Sequence, residues 1–294
     1  MSSVVFTVGA LALDTIFRLD TLPTAPGKFI PSDVIEVAQG MATAQAAAIV
    51  RLGGRARLWA STGDDPIADR ILADLTAAGI DTSAIRRVAG ARSGFSSIFM
   101  DPGGERIVVP HYDPAIRSRP DRLPPMADVA LVSVDVRWPE AAAMALAAAR
   151  QRSIPGILDV EAAAPAALAA LLPLASHLIA SEPGAKQLTG ETDPAHAATA
   201  LARLHPGFVA VTAGERGVFW PGGHLTAFTV AAVDTLAAGD VFHGAFALRL
   251  AEGASEIDAL RFAAAAAALK CTRFGGRLGT PTRVEVERLL AERG

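Results

Sequence analysis

From Val129 onward the chain repeats one theme: a short apolar run, a turn, then an alanine-rich stretch with helical spacing. The runs are Val129 to Val134, Pro155 to Val160, His177 to Ala180 and Phe208 to Thr212. Each is too short for a helix and reads as a buried strand. Strands separated by helices do not close hairpins. They lie parallel, joined by right-handed crossovers, with helices on both faces of one sheet. Val4 to Gly9 adds a further strand of this kind at the start. The alternation predicts an α/β three-layer sandwich around a mostly parallel sheet, with ligands at the carboxyl ends of the strands. At 294 residues the chain suits a single domain over 1–294 with a small appendage.

The appendage is read from a different texture. Thr21 to Asp33 is rich in Pro and Gly and reads as a loop or excursion. Ser93 to Met100 and Glu105 to Val109 are short apolar-polar strands flanking Asp101-Pro102-Gly103-Gly104, a hairpin signal. Between these regions, Ala56 to Asp65 reads as a strand ending in a turn, and Pro66 to Ala78 as a helix.

The chemistry concentrates near the C-terminal end. Phe228 to Val233 reads as a strand, Asp234-Thr235-Leu236-Ala237-Ala238-Gly239-Asp240 as a small-residue turn, and Val241 to Leu250 as a helix stopped by Gly253. The first amides of a helix have no internal partner and make an anion site. A carboxylate at Asp240 is favoured there by the helix dipole and is expected to be ionised near neutral pH. An anion hole beside such a carboxylate suits phosphoryl transfer to a hydroxyl. The amides hold developing charge while the carboxylate takes the proton.

Composition removes other classes. With 51% apolar and 19% charged residues, disorder is excluded. A formal net charge of -3 offers no general attraction to nucleic acid or anionic membrane, so neither is an expected partner. Cys271 is the single cysteine, so there is no intrachain disulfide and no cysteine metal cluster. The longest apolar run, Phe262 to Leu269, is too short to span a bilayer. No basic region precedes an apolar core near Met1, so a cytoplasmic protein is expected.

Asp234-Thr-x-Ala-Ala-Gly-Asp240, followed after three residues by Gly244-Ala-Phe-Ala, resembles the C-terminal signature of the PfkB/ribokinase family of carbohydrate kinases. The resemblance implies a ribokinase-like fold, a sugar substrate, ATP as phosphoryl donor and Mg2+ as its companion. It makes Asp240 the catalytic base and the amides around Ala237, Ala238 and Gly239 the anion hole. Asp14, five residues after Gly9, becomes a binder of sugar hydroxyls. Gln39 to Ala46 resembles the family's N-terminal glycine signature through Gly40, with Gln39 and Ala44 where Gly and a sugar-binding Asn are usual. Thr212-x-Gly214-x-x-Gly217 resembles its nucleotide-contacting turn. Ser181 to Gly184 keeps Glu182 as a candidate magnesium ligand, although Ser181 and Gly184 replace the usual Asn and Glu. The segment from Ala263 to Arg277 is implied to line the adenine pocket, with Lys270 at the nucleotide, and to touch a monovalent cation such as K+. About 15–37 and 93–112 are implied to form a β lid over the sugar, carrying a homodimer contact. His111, just beyond the second lid strand, is a candidate for that site.

Within the family, Asp135-Val136-Arg137-Trp138, Ser181 to Gly184 and Ala268 to Arg273 are most similar to the sulfofructose kinase branch. That implies an anionic ketose such as 6-deoxy-6-sulfofructose. Arg137, after a strand, would clamp its charged end, and Lys28 would add charge. A neutral sugar or a nucleoside is the alternative substrate. Two readings from other classes compete. A non-enzymatic sugar or nucleotide sensor conflicts with the intact Asp240. A Rossmann dehydrogenase needs a Gly-x-Gly-x-x-Gly turn after the first strand, whereas Gly9-Ala10-Leu11-Ala12-Leu13-Asp14 holds one Gly.

Overall fold

The structure is a computed structural model and describes residues 4–293. Residues 1–3 and 294 of the expected domain lie outside the described residues. The first half runs β1 (Val4–Val8), β2 (Ala12–Arg18), β3 (Asp33–Gln39), α1 (Met41–Arg51), β4 (Arg55–Trp59), β5 (Ser61–Gly63), α2 (Pro66–Ala77), β6 (Arg86–Val88), β7 (Phe95–Met100) and β8 (Arg106–His111). It continues with β9 (Val129–Val134), α3 (Pro139–Gln151), β10 (Gly156–Val160), α4 (Pro165–Leu171), β11 (His177–Ser181), α5 (Glu182–Thr189) and α6 (Pro194–Leu204). The last part holds β12 (Phe208–Thr212), β13 (Val218–Trp220), β14 (Gly223–Leu225), α7 (Ala238–Ala251), α8 (Glu256–Cys271) and α9 (Arg283–Glu292).

The main sheet has eight strands in the order β14-β13-β12-β11-β10-β9-β1-β4. From β4 to β12 every neighbouring pair is parallel, and β13 and β14 close one edge as antiparallel strands. The alternation of strand and helix therefore folds as a doubly wound α/β layer. Period-2 alternation divides each strand between two cores. Val5, Leu131, Ile157, Ile179 and Ala210 face a core shared with α1, α7, α8 and α9. Their neighbours Phe6, Val132, Leu158, Leu178 and Val209 face the other core, shared with α3 and α6. The strand order reverses beside β1, whose neighbours are β4 and β9. A crevice opens at the carboxyl ends of strands at such a switch.

A second sheet, ordered β3-β2-β7-β8, contains the Asp101–Gly104 hairpin between β7 and β8. β2 runs from Ala12, so Asp14 lies within a strand. Ile16, Val37, Ile98 and Met100 form the small core of this sheet, and Leu236 and Phe274 pack against it from the turn before α7 and the turn after α8. Arg106 of β8 donates to Thr235 Oγ1 at 2.8 Å, so this sheet touches the signature turn directly.

One strand expectation fails. Phe228 to Val233 forms no strand. The main sheet already ends at β14, and the backbone of this segment bonds elsewhere. Val233 and Asp234 N–H both donate to Cys271 O, at 2.7 and 3.1 Å. The segment thus hangs from the end of α8 and walls a cleft. Among the described residues no helix is long and apolar enough to cross a membrane.

Candidate active site

The signature turn delivers the chain into α7 through Ala237, a non-glycine residue held at φ 63°. Left-handed backbone at a residue with a Cβ is strained, and such strain gathers at functional sites. Ala238 N–H turns back onto Thr235 O at 3.2 Å. Among the described residues the Gly239 and Asp240 N–H groups have no acceptor, and no side chain caps the helix. These two amides are the open anion site. Gly239 is exposed, and a Cβ built there meets nothing within 4 Å, so its free side is where a ligand would lie.

The amides face a cleft of about 900 Å³ that also holds Thr212, Gly214, Gly217, Ala264 and Ala268. The structure thus brings the expected nucleotide residues Thr212, Gly214 and Gly217 to the same cleft as Ala238 and Gly239. The alanines of α8 leave space for a flat ring against the helix.

Lys270 does not join them. Its ammonium is fully buried and lies 2.6 Å from Asp234 O and 3.0 Å from Asp234 Oδ2. The nucleotide contact expected of Lys270 is replaced by an internal ion pair, because the last turn of α8 aims the side chain inward. Glu182 is committed to Arg216, an ion pair across the turn after β12. Among the described residues, no three His, Cys, Asp or Glu side chains converge to hold a metal ion.

Asp240 is half-buried, and burial opposes the ionisation expected of it. Burial pushes its pKa well above the ordinary carboxylate range, and the negative charge of Asp159 adds to that shift. The helix dipole acts in the opposite direction and is outweighed. Asp159, at the end of β10, is itself raised by burial, then by Glu161 and Asp135. His243, one turn into α7, donates from Nδ1 to Gly239 O at 2.8 Å. Its Nε2 lies 3.3 Å from both Asp159 Oδ1 and Ile179 O. Gln45 of α1 donates to Asp159 Oδ2 at 3.0 Å and accepts from Ser133 at 2.7 Å. A buried polar chain from β9 through α1 and β10 thus ends on the carbonyl of the anion-site glycine. None of Asp159, His243, Gln45 or Ser133 was singled out from the sequence. Polar residues inside otherwise apolar runs were the available signal.

A second, smaller cleft adjoins Gly9, Ala10 and Leu11 and is lined by Tyr112, Arg117 and Arg137. Asp14 lies close to it. Burial raises its pKa to about 6, opposed by the Ser96 hydroxyl, which donates at 2.6 Å. Tyr112 is raised by burial and then by Asp14, with Arg117 opposing, and the Arg117 guanidinium stacks 4.0 Å over its ring. Asp135 pins the loops around this cleft, accepting from Ala10, Ala42 and Arg137 N–H at 2.8, 2.9 and 2.7 Å. Gly40 starts α1 at φ 124°, where a Cβ would stand 2.4 Å from Ala10 O. Its role on view is to let two loop backbones meet. Gln39 turns away from the cleft and accepts from Arg277 N–H. Lys28 sits in the exposed segment after β2 and makes no polar contact among the described residues. His111 packs on Phe95, ring centroids 5.0 Å apart. Tyr112 and Arg117 were missed because only the turn after β8 carries them back to the cleft.

Two outcomes follow from this geometry. Gly239→Val should fold with a melting temperature within a few degrees of wild type, because its Cβ enters open space. Binding of inorganic triphosphate, followed by calorimetry, should fall at least roughly tenfold as the side chain covers the amides. An unchanged affinity would remove the anion site from this turn. Separately, the Asp240 carboxyl, followed by NMR titration, should lose its proton above the usual carboxylate range. In Asp159→Asn that midpoint should move down, since a like charge has been removed. An upward or absent shift would contradict the coupling.

The profile of the pfkB family carbohydrate kinases matches residues 4–283. A ribokinase of Bacillus subtilis is 31% identical over 298 residues, covering 97% of this chain and 98% of its own. The crystal structure of an Agrobacterium tumefaciens protein provisionally named a ribokinase superposes with a TM-score of 0.96 at 44% identity, covering 100% of this chain and 99% of that one. The Arabidopsis thaliana ribokinase complexed with ribose and ATP aligns with a TM-score of 0.84 at 24% identity over 99% of both chains, a likeness of fold. A family profile spanning nearly the whole chain, together with close relatives, means that this chain belongs to the pfkB family of carbohydrate kinases, the ATP-dependent sugar kinases of ribokinase-like fold.

Proposed function

We propose that the sugar phosphorylated by this ATP-dependent kinase carries an anionic end, as 6-deoxy-6-sulfofructose does. The observation that supports this reading is the pair Arg117 and Arg137 on the cleft beside Tyr112. Neither has a carboxylate within ion-pair distance among the described residues. The Arg137 guanidinium donates only to Ala162 O, at 3.3 Å, and the residue is exposed. Two guanidinium groups without a carboxylate partner, with Asp14 as the hydroxyl binder, suit a sugar with a sulfonate or phosphate tail. A neutral pentose is the second reading, favoured by the Bacillus subtilis relative named ribokinase.

In this reading Asp240 accepts the proton of the attacking hydroxyl. Its raised pKa makes it a stronger base than an ordinary carboxylate. The Gly239 and Asp240 amides stabilise charge on the transferring group. Thr212, Gly214 and Gly217 border the nucleotide. Glu182 is paired with Arg216, so a magnesium ion accompanying ATP would be held by ATP oxygens and water, and would supply charge neutralisation on the phosphates. The β2-β3-β7-β8 sheet serves as the lid. Its exposed Val34, Ile107, Val108 and Val109 support a homodimer through that face. This reading keeps the enzyme in the cytoplasm.

Asp240→Asn should lower turnover by roughly a hundred- to ten-thousand-fold in a coupled ADP-release assay, with ATP affinity kept. Near-normal turnover would remove the base assignment. Arg137→Ala should lower kcat/KM on the anionic ketose by about ten- to a hundredfold, following the 1.5–3 kcal/mol of a charge-assisted hydrogen bond. The loss on the matched neutral ketose should be far smaller, and Arg137→Lys should rescue only in part. Equal losses on both sugars, or a wild type preferring the neutral one, would assign the chain to the ribokinase-like reading.

A further inference from the structure

The resemblance implies a monovalent cation at the turn following α8. The residues present there do not fit one, because a positive charge is already built in. Lys270 and Asp234 are both 0% exposed. The Lys270 ammonium takes the Asp234 main-chain carbonyl at 2.6 Å and Oδ2 at 3.0 Å. It stands in the last turn of α8, where the helix dipole favours a cation. The Asp234 carboxylate then has no capacity to spare. Oδ1 accepts from Leu236 N–H at 2.7 Å, and Oδ2 also accepts from Gly275 and Gly276 N–H at 3.0 and 2.9 Å. Two residues after Asp234, Leu236 leads into the strained Ala237 that starts the anion site.

We infer that the Lys270 ammonium is a tethered monovalent cation that holds the signature turn in place, so that this enzyme needs no free potassium. Lys270 is a positioning residue: it acts through Asp234 on the Leu236–Ala237 backbone. An ammonium group and a potassium ion are nearly the same size. Removing the side chain head therefore leaves a carboxylate and a carbonyl spaced for a dissolved ion. The inference rests on the family assignment and not on the identity of the sugar.

The test compares wild type, Lys270→Met and Lys270→Met/Asp234→Asn in buffers of equal ionic strength, with tetramethylammonium, potassium, ammonium or lithium as the sole cation. Two quantities are read: melting temperature and ATP-dependent turnover. Wild type should keep the same melting temperature, and turnover within twofold, in tetramethylammonium and potassium. Lys270→Met should melt lower and turn over at least tenfold more slowly in tetramethylammonium. It should recover both saturably with potassium or ammonium, and poorly with lithium. The double variant lacks the carboxylate at position 234 and should show no cation response. Tenfold activation of wild type by potassium would overturn the inference. So would a Lys270→Met protein equal to wild type in tetramethylammonium, or one that no cation restores. If Lys270→Met does not fold, the wild-type comparison alone decides. The melting measurement needs no substrate and stands even if the sugar has been misassigned.

Discussion

Buried carboxylates that accept backbone N–H groups from several loops hold this site together. In a parallel sheet the carboxyl-edge loops have no ladder to organise them. Asp135 collects the loop after β1, the start of α1 and its own loop. Asp234 collects the signature turn and the turn after α8. A charge-assisted bond of this kind is worth about 1.5–3 kcal/mol, set against several kcal/mol for desolvating each ion. Three donors per carboxylate bring the two sides to the same order. Losing one carboxylate would also leave several buried N–H groups unpaired in separate loops. That makes the arrangement cooperative.

The helices deliver their N-termini to the same edge for a packing reason. α1, α7 and α8 share a core rich in alanine, including Ala42, Ala46, Ala245, Ala263 and Ala266. Small residues let helix axes approach closely, so α1 lies against α7 and Gln45 reaches Asp159 beside His243. The loop after β1 then borders the smaller cleft while the start of α7 borders the larger one. The charges of Asp159 and Asp135 both act on Asp240.

Charge is partitioned across the two clefts. Burial first, and neighbouring carboxylates second, raise the pKa values of Asp240 and Asp159. The Arg117 and Arg137 guanidinium groups line the smaller cleft.

By itself the sequence determined the period of the architecture and the place of the chemistry. Apolar runs separated by helical stretches admit few arrangements other than a doubly wound parallel sheet, because strand pairing and crossover handedness are general constraints. Asp234 to Asp240 was legible as an anion-site turn because a helix start exposes amides whatever the surroundings. Side-chain direction and ionisation were not legible, since both depend on what packs around a group from distant parts of the chain. Lys270 was expected at the nucleotide, and only the contact between α8 and the signature turn sends it to Asp234. Asp240 was expected to be ionised by its helix, and burial, then the charge of Asp159 of β10, pushes its pKa the other way. Phe228 to Val233 has strand composition, yet the sheet had already closed at β14 and Cys271 O captured its backbone. Local pattern decides which elements form. Desolvation and long-range hydrogen bonding, which exist only once those elements are packed, decide what their polar groups do.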